Sequence, residues 1–173
     1  MTAGRESISR TKDWCTPPEY VEAARRVFGG TIHLDPCSNE HSVVRAEVEI
    51  APPADGLAEP WRHPTVYVNP PYGRDKARGT TIRDWLGKCS EAHSSGSEVL
   101  ALVPVATNTR HWREHVFTAT AICFLRVARL KFTLGGLASG KGAPMACAVV
   151  YWGRDPDRFS EVFREFGTVL RCP

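Results

Sequence analysis

Hydrophobic and polar positions along this chain fall into blocks whose period switches between that of a helix and that of a strand. Tyr20, Val21, Ala24, Val27 and Phe28 recur at helical spacing, and Gly29-Gly30 follows them as glycines follow a helix C-terminus. Just upstream, Thr16, Pro17 and Glu19 form a start signal: a hydroxyl cap, proline in the first turn and an acid to complete a capping box. A helix is therefore expected through Phe28. Thr31-Ile32-His33-Leu34 reads as a short strand that runs into Asp35-Pro36-Cys37-Ser38. Residues 40–50 admit two readings, a helical turn over His41 to Glu47 or a strand over Ala46 to Ile50, and Ala51-Pro52-Pro53 closes them. Thr65-Val66-Tyr67-Val68 is a strand that must stop near Asn69, because neither Pro70 nor Pro71 can donate to a ladder. Ile82, Trp85, Leu86 and Cys89 mark the inner face of a helix from Thr80 or Thr81 to His93. Glu98 to Pro104 is nearly continuous in apolar residues, as a central buried parallel strand would be. Thr107-Asn108-Thr109 can cap a helix running through Phe117, and Ala119 to Leu125 is the next strand.

This alternation of strand and helix implies a parallel sheet with crossover connections. The last third differs. Arg126 to Leu134 is a basic, alternating strand, Gly135-Gly136 through Gly142 a glycine-rich loop, and Met145 to Trp152 an apolar strand, which together suggest a hairpin on the sheet edge. Asp157 to Phe166 should form a closing amphipathic helix and Thr168 to Cys172 a short strand. The expected class is α/β, a mostly parallel sheet with an antiparallel C-terminal hairpin, in one domain over residues 13–173 behind a polar arm at 1–12.

Composition narrows the setting. At 173 residues the chain can build one substantial core. No apolar run approaches membrane-spanning length, and the polar first 12 residues hold no apolar signal segment, so a soluble, cytoplasmic protein is expected. Six scattered cysteines lack metal-ligand or disulfide-framework spacing, so no metal is expected. A net charge of +3 permits contact with a polyanion without demanding it.

The chemistry concentrates in Asn69-Pro70-Pro71-Tyr72-Gly73. Ligands in open α/β sheets gather at strand carboxyl ends, and this strand ends in an amide, rigid prolines and an aromatic. The bland alternative is a Pro-Pro turn with a surface tyrosine.

With its blocks in order, the chain resembles the phage-type DNA N6-adenine methyltransferases, the Dam-like family of small S-adenosylmethionine enzymes, over roughly Asp13 to Trp152. The resemblance is carried by Asp13-Trp14 with Thr16-Pro17, Leu34-Asp35-Pro36-Cys37-Ser38, Asp55-Gly56-Leu57 with Trp61, and Val68-Asn69-Pro70-Pro71-Tyr72-Gly73. Leu102-Val103-Pro104, Phe124-Leu125-Arg126 and Arg129-Leu130-Lys131-Phe132 look like later blocks. One departure is that Cys37-Ser38-Asn39-Glu40 contains no glycine. The resemblance implies a Rossmann-like methyltransferase fold, S-adenosylmethionine as cofactor and double-stranded DNA as partner, in a monomer or weak dimer.

It also implies roles. Asn69, Pro70, Pro71 and Tyr72 would be catalytic, and Trp14, Thr16, Pro17, Asp35, Pro36, Cys37, Ser38, Asp55 and Gly56 would bind the cofactor. Arg74, Arg110, Arg129, Lys131 and Phe132 would meet DNA, with Lys76, Arg78, Arg126 and Lys141 as further candidate phosphate contacts. Each has a plainer reading: Asp35 as a helix cap, Asp55 as a turn residue, Trp14 and Phe132 as core, and the basic residues as a solvated face. The chemistry itself favours the strand end. An exocyclic amino nitrogen delocalises its lone pair into the ring, and two acceptors, the Asn69 side-chain oxygen and the Pro70 carbonyl, can hold its hydrogens and turn that pair toward an electrophile. Because an RNA base or a protein glutamine presents similar nitrogen, RNA and protein-glutamine methyltransferases remain alternatives, as does a nucleic-acid-binding relative without catalysis. Loops 73–80, 105–113 and 134–144 would set specificity.

Overall fold

The computed structural model describes residues 14–127, 129–134, 137–142 and 145–173. The arm expected over residues 1–12, Asp13 and Gly135-Gly136 lie outside the described residues. The first helix, α1 (Pro18–Val27), buries Tyr20, Val21, Ala23, Ala24 and Val27 on one face, as their spacing requires. It ends at Gly29 and Gly30, whose φ values of 78° and 117° suit residues without a Cβ. Its start departs from expectation. The N-cap is Pro17, with no side-chain cap, because the Thr16 hydroxyl instead accepts a hydrogen bond from Tyr67 Oη at 2.8 Å.

The strands are β1 (Leu34–Asp35), β2 (Val48–Glu49), β3 (Thr65–Val68), β4 (Glu98–Pro104), β5 (Ala121–Leu125), β6 (Lys131–Leu134), β7 (Leu137–Gly142), β8 (Cys147–Trp152) and β9 (Gly167–Arg171). The helices are completed by α2 (Ile82–Ser94) and α3 (Pro156–Phe163). A seven-stranded sheet has the order β2-β1-β3-β4-β8-β5-β9, with β4 in the middle as its apolar run predicts. The pairs β1–β2, β1–β3 and β3–β4 are parallel, whereas β8 lies antiparallel to both β4 and β5, and β9 antiparallel to β5.

The expected C-terminal hairpin is therefore corrected. β6 pairs with its near neighbour β7 in a separate two-stranded sheet, and β8 enters the main sheet between β4 and β5 instead of forming an edge. Every residue of β8 is buried, which an interior strand covered on both faces demands and an edge strand does not. The helix expected through Phe117 is a π-helical turn at Trp112–Val116.

Alternate residues of the same strands feed two cores. Leu100, Leu102, Val149 and Tyr151 pack with α1 and α3 on one face. Val99, Ala101, Val103, Val150 and Trp152 pack with α2 and the π-helical turn on the other. This three-layer arrangement explains why β4 reads as continuously apolar. Because β1, β3 and β4 run parallel, their carboxyl ends share one rim of the sheet. The chain moves outward from β1 to β2 and then returns to place β3 on the opposite side of β1, so the order reverses between β1 and β3. A crevice at such a reversal is where open α/β sheets hold ligands.

Candidate functional site

At the end of β1, the Asp35 carboxylate is 3% exposed. Its Oδ1 accepts from the Cys37 backbone N–H at 3.0 Å, and its Oδ2 meets the Ser42 hydroxyl at 3.5 Å. Burial pushes its pKa up to about 7, with nearby Glu49 adding to the rise and the Cys37 and Ser42 hydrogen bonds opposing it. No helix follows it over residues 36–47, so Asp35 caps a turn and not a helix. Two residues beyond the turn's start, Ser38 is tied to the end of β2 by its backbone N–H, which donates to Ile50 O at 3.0 Å. The buried Ser38 hydroxyl has no hydrogen-bond partner among the described residues.

The Asp55-Gly56-Leu57 turn is pressed against this loop. A Cβ on Gly56 would lie 1.9 Å from the Pro36 carbonyl oxygen, so only glycine lets the two backbones approach. The Gly56 carbonyl accepts from Trp61 Nε1 at 2.7 Å, which accounts for the tryptophan four residues past Leu57. Asp55 Oδ1 accepts from the Leu57 N–H at 3.0 Å, and its Oδ2 meets Arg78 Nε at 3.3 Å. The sequence groups Arg78 only with the other basic residues of its loop; no local signal ties it to an acid more than twenty positions earlier. A cavity of about 50 Å³ lies among Asp55, Leu57, Pro71, Gly73, Arg78 and Trp85.

Across the sheet reversal, Asn69 ends β3. Its Nδ2 donates to the Trp14 carbonyl at 3.3 Å. A carbonyl can only accept, so this contact fixes which end of the amide is the nitrogen and turns Oδ1 away from Trp14. The Asn69 backbone N–H faces the Cys37 thiol, whose pKa burial raises. Tyr72 is half-buried, its hydroxyl donating to Leu102 O at 3.3 Å and lying against the Cys147 thiol; burial raises its pKa well above that of an ordinary tyrosine.

Aromatic packing then draws in the far end of the chain. Phe132 is 1% exposed, stacks on Trp14 at 5.2 Å and meets Tyr72 edge-on at 6.0 Å. The backbones of Cys15 and Thr133 exchange hydrogen bonds of 2.9 and 3.0 Å, so β6 is laid beside the Trp14-to-Pro17 segment.

The structure thus brings Trp14, Thr16, Asp35 to Ser38, Asp55, Gly56 and Asn69 to Tyr72 to one rim. In the first turn of α1, Pro17 and Pro18 have no N–H, and that of Tyr20 donates to Pro17 O at 3.1 Å, which leaves few donors for an anion there. Arg74, Arg129 and Lys131 are exposed. Arg110 is paired with Glu114, which also holds Arg83. Among the described residues no cluster of His, Cys, Asp or Glu is arranged to hold a metal ion, and no helix is long and apolar enough to cross a membrane.

In comparisons with known proteins, a family model described as DNA N-6-adenine-methyltransferase (Dam) matches residues 6–165. No match was found among curated proteins or among solved structures.

Proposed function

Because the chain belongs to the DNA N-6-adenine-methyltransferase (Dam) family, we propose that it transfers a methyl group from S-adenosylmethionine to N6 of an adenine flipped out of double-stranded DNA. The observation that carries this reading is the Asn69 side chain at the sheet reversal, with Nδ2 committed to Trp14 O and Oδ1 left as an acceptor. In this reading the fold is a Rossmann-like methyltransferase fold.

The residues at the end of β1 fit such a cofactor. The buried Ser38 hydroxyl, unpartnered among the described residues, lacks the hydrogen bond that a polar ligand would supply. Asp35, with Pro36 and Cys37, presents a carboxylate whose burial is relieved by a cationic group. Asp55 accepts amino hydrogens of the cofactor's adenine, Gly56 keeps that turn against Pro36, and Trp14, Thr16 and Pro17 close the other side. When bound, S-adenosylmethionine supplies an electrophilic methyl group on a sulfonium sulfur.

The chain's own residues then act on the substrate nitrogen. Asn69 Oδ1 accepts one N6 hydrogen and the Pro70 carbonyl the other, which directs the nitrogen lone pair toward the methyl group. Pro70 and Pro71 hold φ fixed, and Trp14 O holds the amide, so these acceptors need little reorganisation. Neither acceptor takes the proton that N6 loses after transfer; it passes to water. The Tyr72 ring offers a stacking surface for the flipped base, backed by Phe132. Arg74, Arg110, Arg129 and Lys131 contact phosphates, and the enzyme works as a monomer or weak dimer in the cytoplasm.

Competition among duplex DNA, RNA and a glutamine-containing peptide for methyl-labelled S-adenosylmethionine tests the reading. Label recovered as N6-methyladenine from DNA is the expected result. Label recovered from RNA or peptide in preference to DNA, or none from any of them, would overturn it.

A further inference from the structure

The loop that leaves the Asn69-to-Tyr72 run is a small closed device. Asp75 N–H donates to Thr80 O at 2.9 Å across an antiparallel bridge. Asp75 Oδ1 accepts from the backbone N–H groups of Ala77 at 2.9 Å and Arg78 at 3.2 Å, and Gly79 turns at a φ of 69°. This frame aims the Arg78 side chain back across the rim, where Nη1 meets Asp75 Oδ2 at 3.4 Å and Nε meets Asp55 Oδ2 at 3.3 Å. One Asp55 oxygen therefore serves its own turn and the other faces Arg78.

The space beside this pair is about 50 Å³, and Arg78 forms part of its wall. A planar group that pairs with Asp55 Oδ2 takes the position that Arg78 Nε holds. Displacement is cheap, because the Arg78 side chain is 43% exposed and exposed ion pairs contribute little. Once released, Arg78 joins exposed Arg74 and Lys76 on the same loop, a group suited to phosphodiesters.

We propose that Arg78 is a latch: it occupies Asp55 when the cofactor is absent, and the cofactor's adenine displaces it toward DNA phosphate, so that each ligand favours binding of the other. This rests on the cofactor reading given above. Such coupling is reciprocal by thermodynamic necessity.

The test is calorimetric binding of S-adenosylmethionine to the full chain, with and without a DNA duplex, for the unaltered protein, Arg78→Ala, Arg78→Lys and Lys76→Ala. Thermal unfolding of each variant checks that it is folded. Arg78→Ala is expected to tighten cofactor binding about threefold without DNA, the size an exposed ion pair allows, and to remove the effect of cofactor on duplex affinity. Arg78→Lys should retain part of the coupling. Lys76→Ala removes the same charge without touching Asp55, and should leave cofactor affinity unchanged. Equal tightening in Lys76→Ala and Arg78→Ala, or none in Arg78→Ala, overturns the latch alone. Failure of the unaltered chain to bind S-adenosylmethionine overturns the functional reading and the latch with it.

Discussion

The two halves of the sheet use one layered design for different ends. In the parallel half, β2, β1, β3 and β4, the short strands β1 and β3 lead directly into polar turns, so Asp35 and Asn69 reach the same rim although far apart in sequence. The hydrogen bonds of Tyr67 to Thr16 and of Asn69 to Trp14, with the close backbone approach of Gly56 to Pro36, hold this rim together. In the antiparallel half, β8, β5 and β9, ring packing dominates. Tyr151 stacks on Phe159 at 5.1 Å and 5°, and Phe159 on Phe163 at 4.8 Å. Parallel strands deliver carboxyl ends, and with them chemistry, to one side, whereas antiparallel strands alternate ends and serve mainly as wall.

That division is broken most sharply by core substitution in the wall. Phe159→Ala removes a fully buried ring from two stacking partners and should cost about 3–5 kcal/mol in denaturant unfolding. Activity per folded molecule should stay near normal under conditions where the variant is folded. If the folded variant has lost methyl transfer, the wall is part of the machinery. Asn69→Ala is the converse. Removing a positioned acceptor should lower methyl transfer about 10²–10³-fold, while the lost hydrogen bond to Trp14 O costs no more than about 1 kcal/mol of stability. Full activity in that variant would sink the proposed mechanism.

How far each half is legible in the sequence follows from the same contrast. β3 can be read because Pro70 and Pro71 cannot continue a ladder, and β4 because a run covered on both faces must be apolar throughout. The last third is less legible. The apolar run of β8 carries no mark of its neighbours, so a local hairpin with the preceding basic strand is the simplest inference, and only tertiary placement between β4 and β5 corrects it. Similarly, Thr16 carries a helix-cap signature, but its hydroxyl is taken by Tyr67, 51 positions away. Phe132 on Trp14 and Arg78 on Asp55 are likewise long-range pairings that periodicity cannot encode.

Asp35 offers a sharper probe of the rim through pH. Its pKa rises from 3.8 to about 7 in the folded chain, chiefly by burial. Between those values the unfolded chain releases the proton that the folded chain keeps, so this group's contribution to stability falls as pH rises through the window and levels off above it. Asp35→Asn remains neutral and lacks that fall. The difference in urea midpoint between Asp35→Asn and the unaltered chain should therefore grow in favour of the variant from pH 4 to pH 8. A difference that is flat over this range would mean that Asp35 is not held in a protonated, buried state.

The smallest effect tests whether polar stitching at the rim serves stability or chemistry. Tyr67→Phe deletes one hydroxyl whose hydrogen bond to Thr16 ties the Trp14-to-Pro17 segment to β3. The ring remains in the core, so the expected cost is about 1 kcal/mol, close to that of a single buried hydrogen bond. The same segment supplies the carbonyl that orients Asn69, and its neighbour Cys15 is bridged to Thr133. Loosening it should therefore lower methyl transfer by more than the loss of folded protein explains, with Asn69 free to rotate its amide. If activity instead falls only in proportion to the folded fraction, the hydroxyl serves packing alone, and the bridge to Thr133 is enough to keep Trp14 O in place.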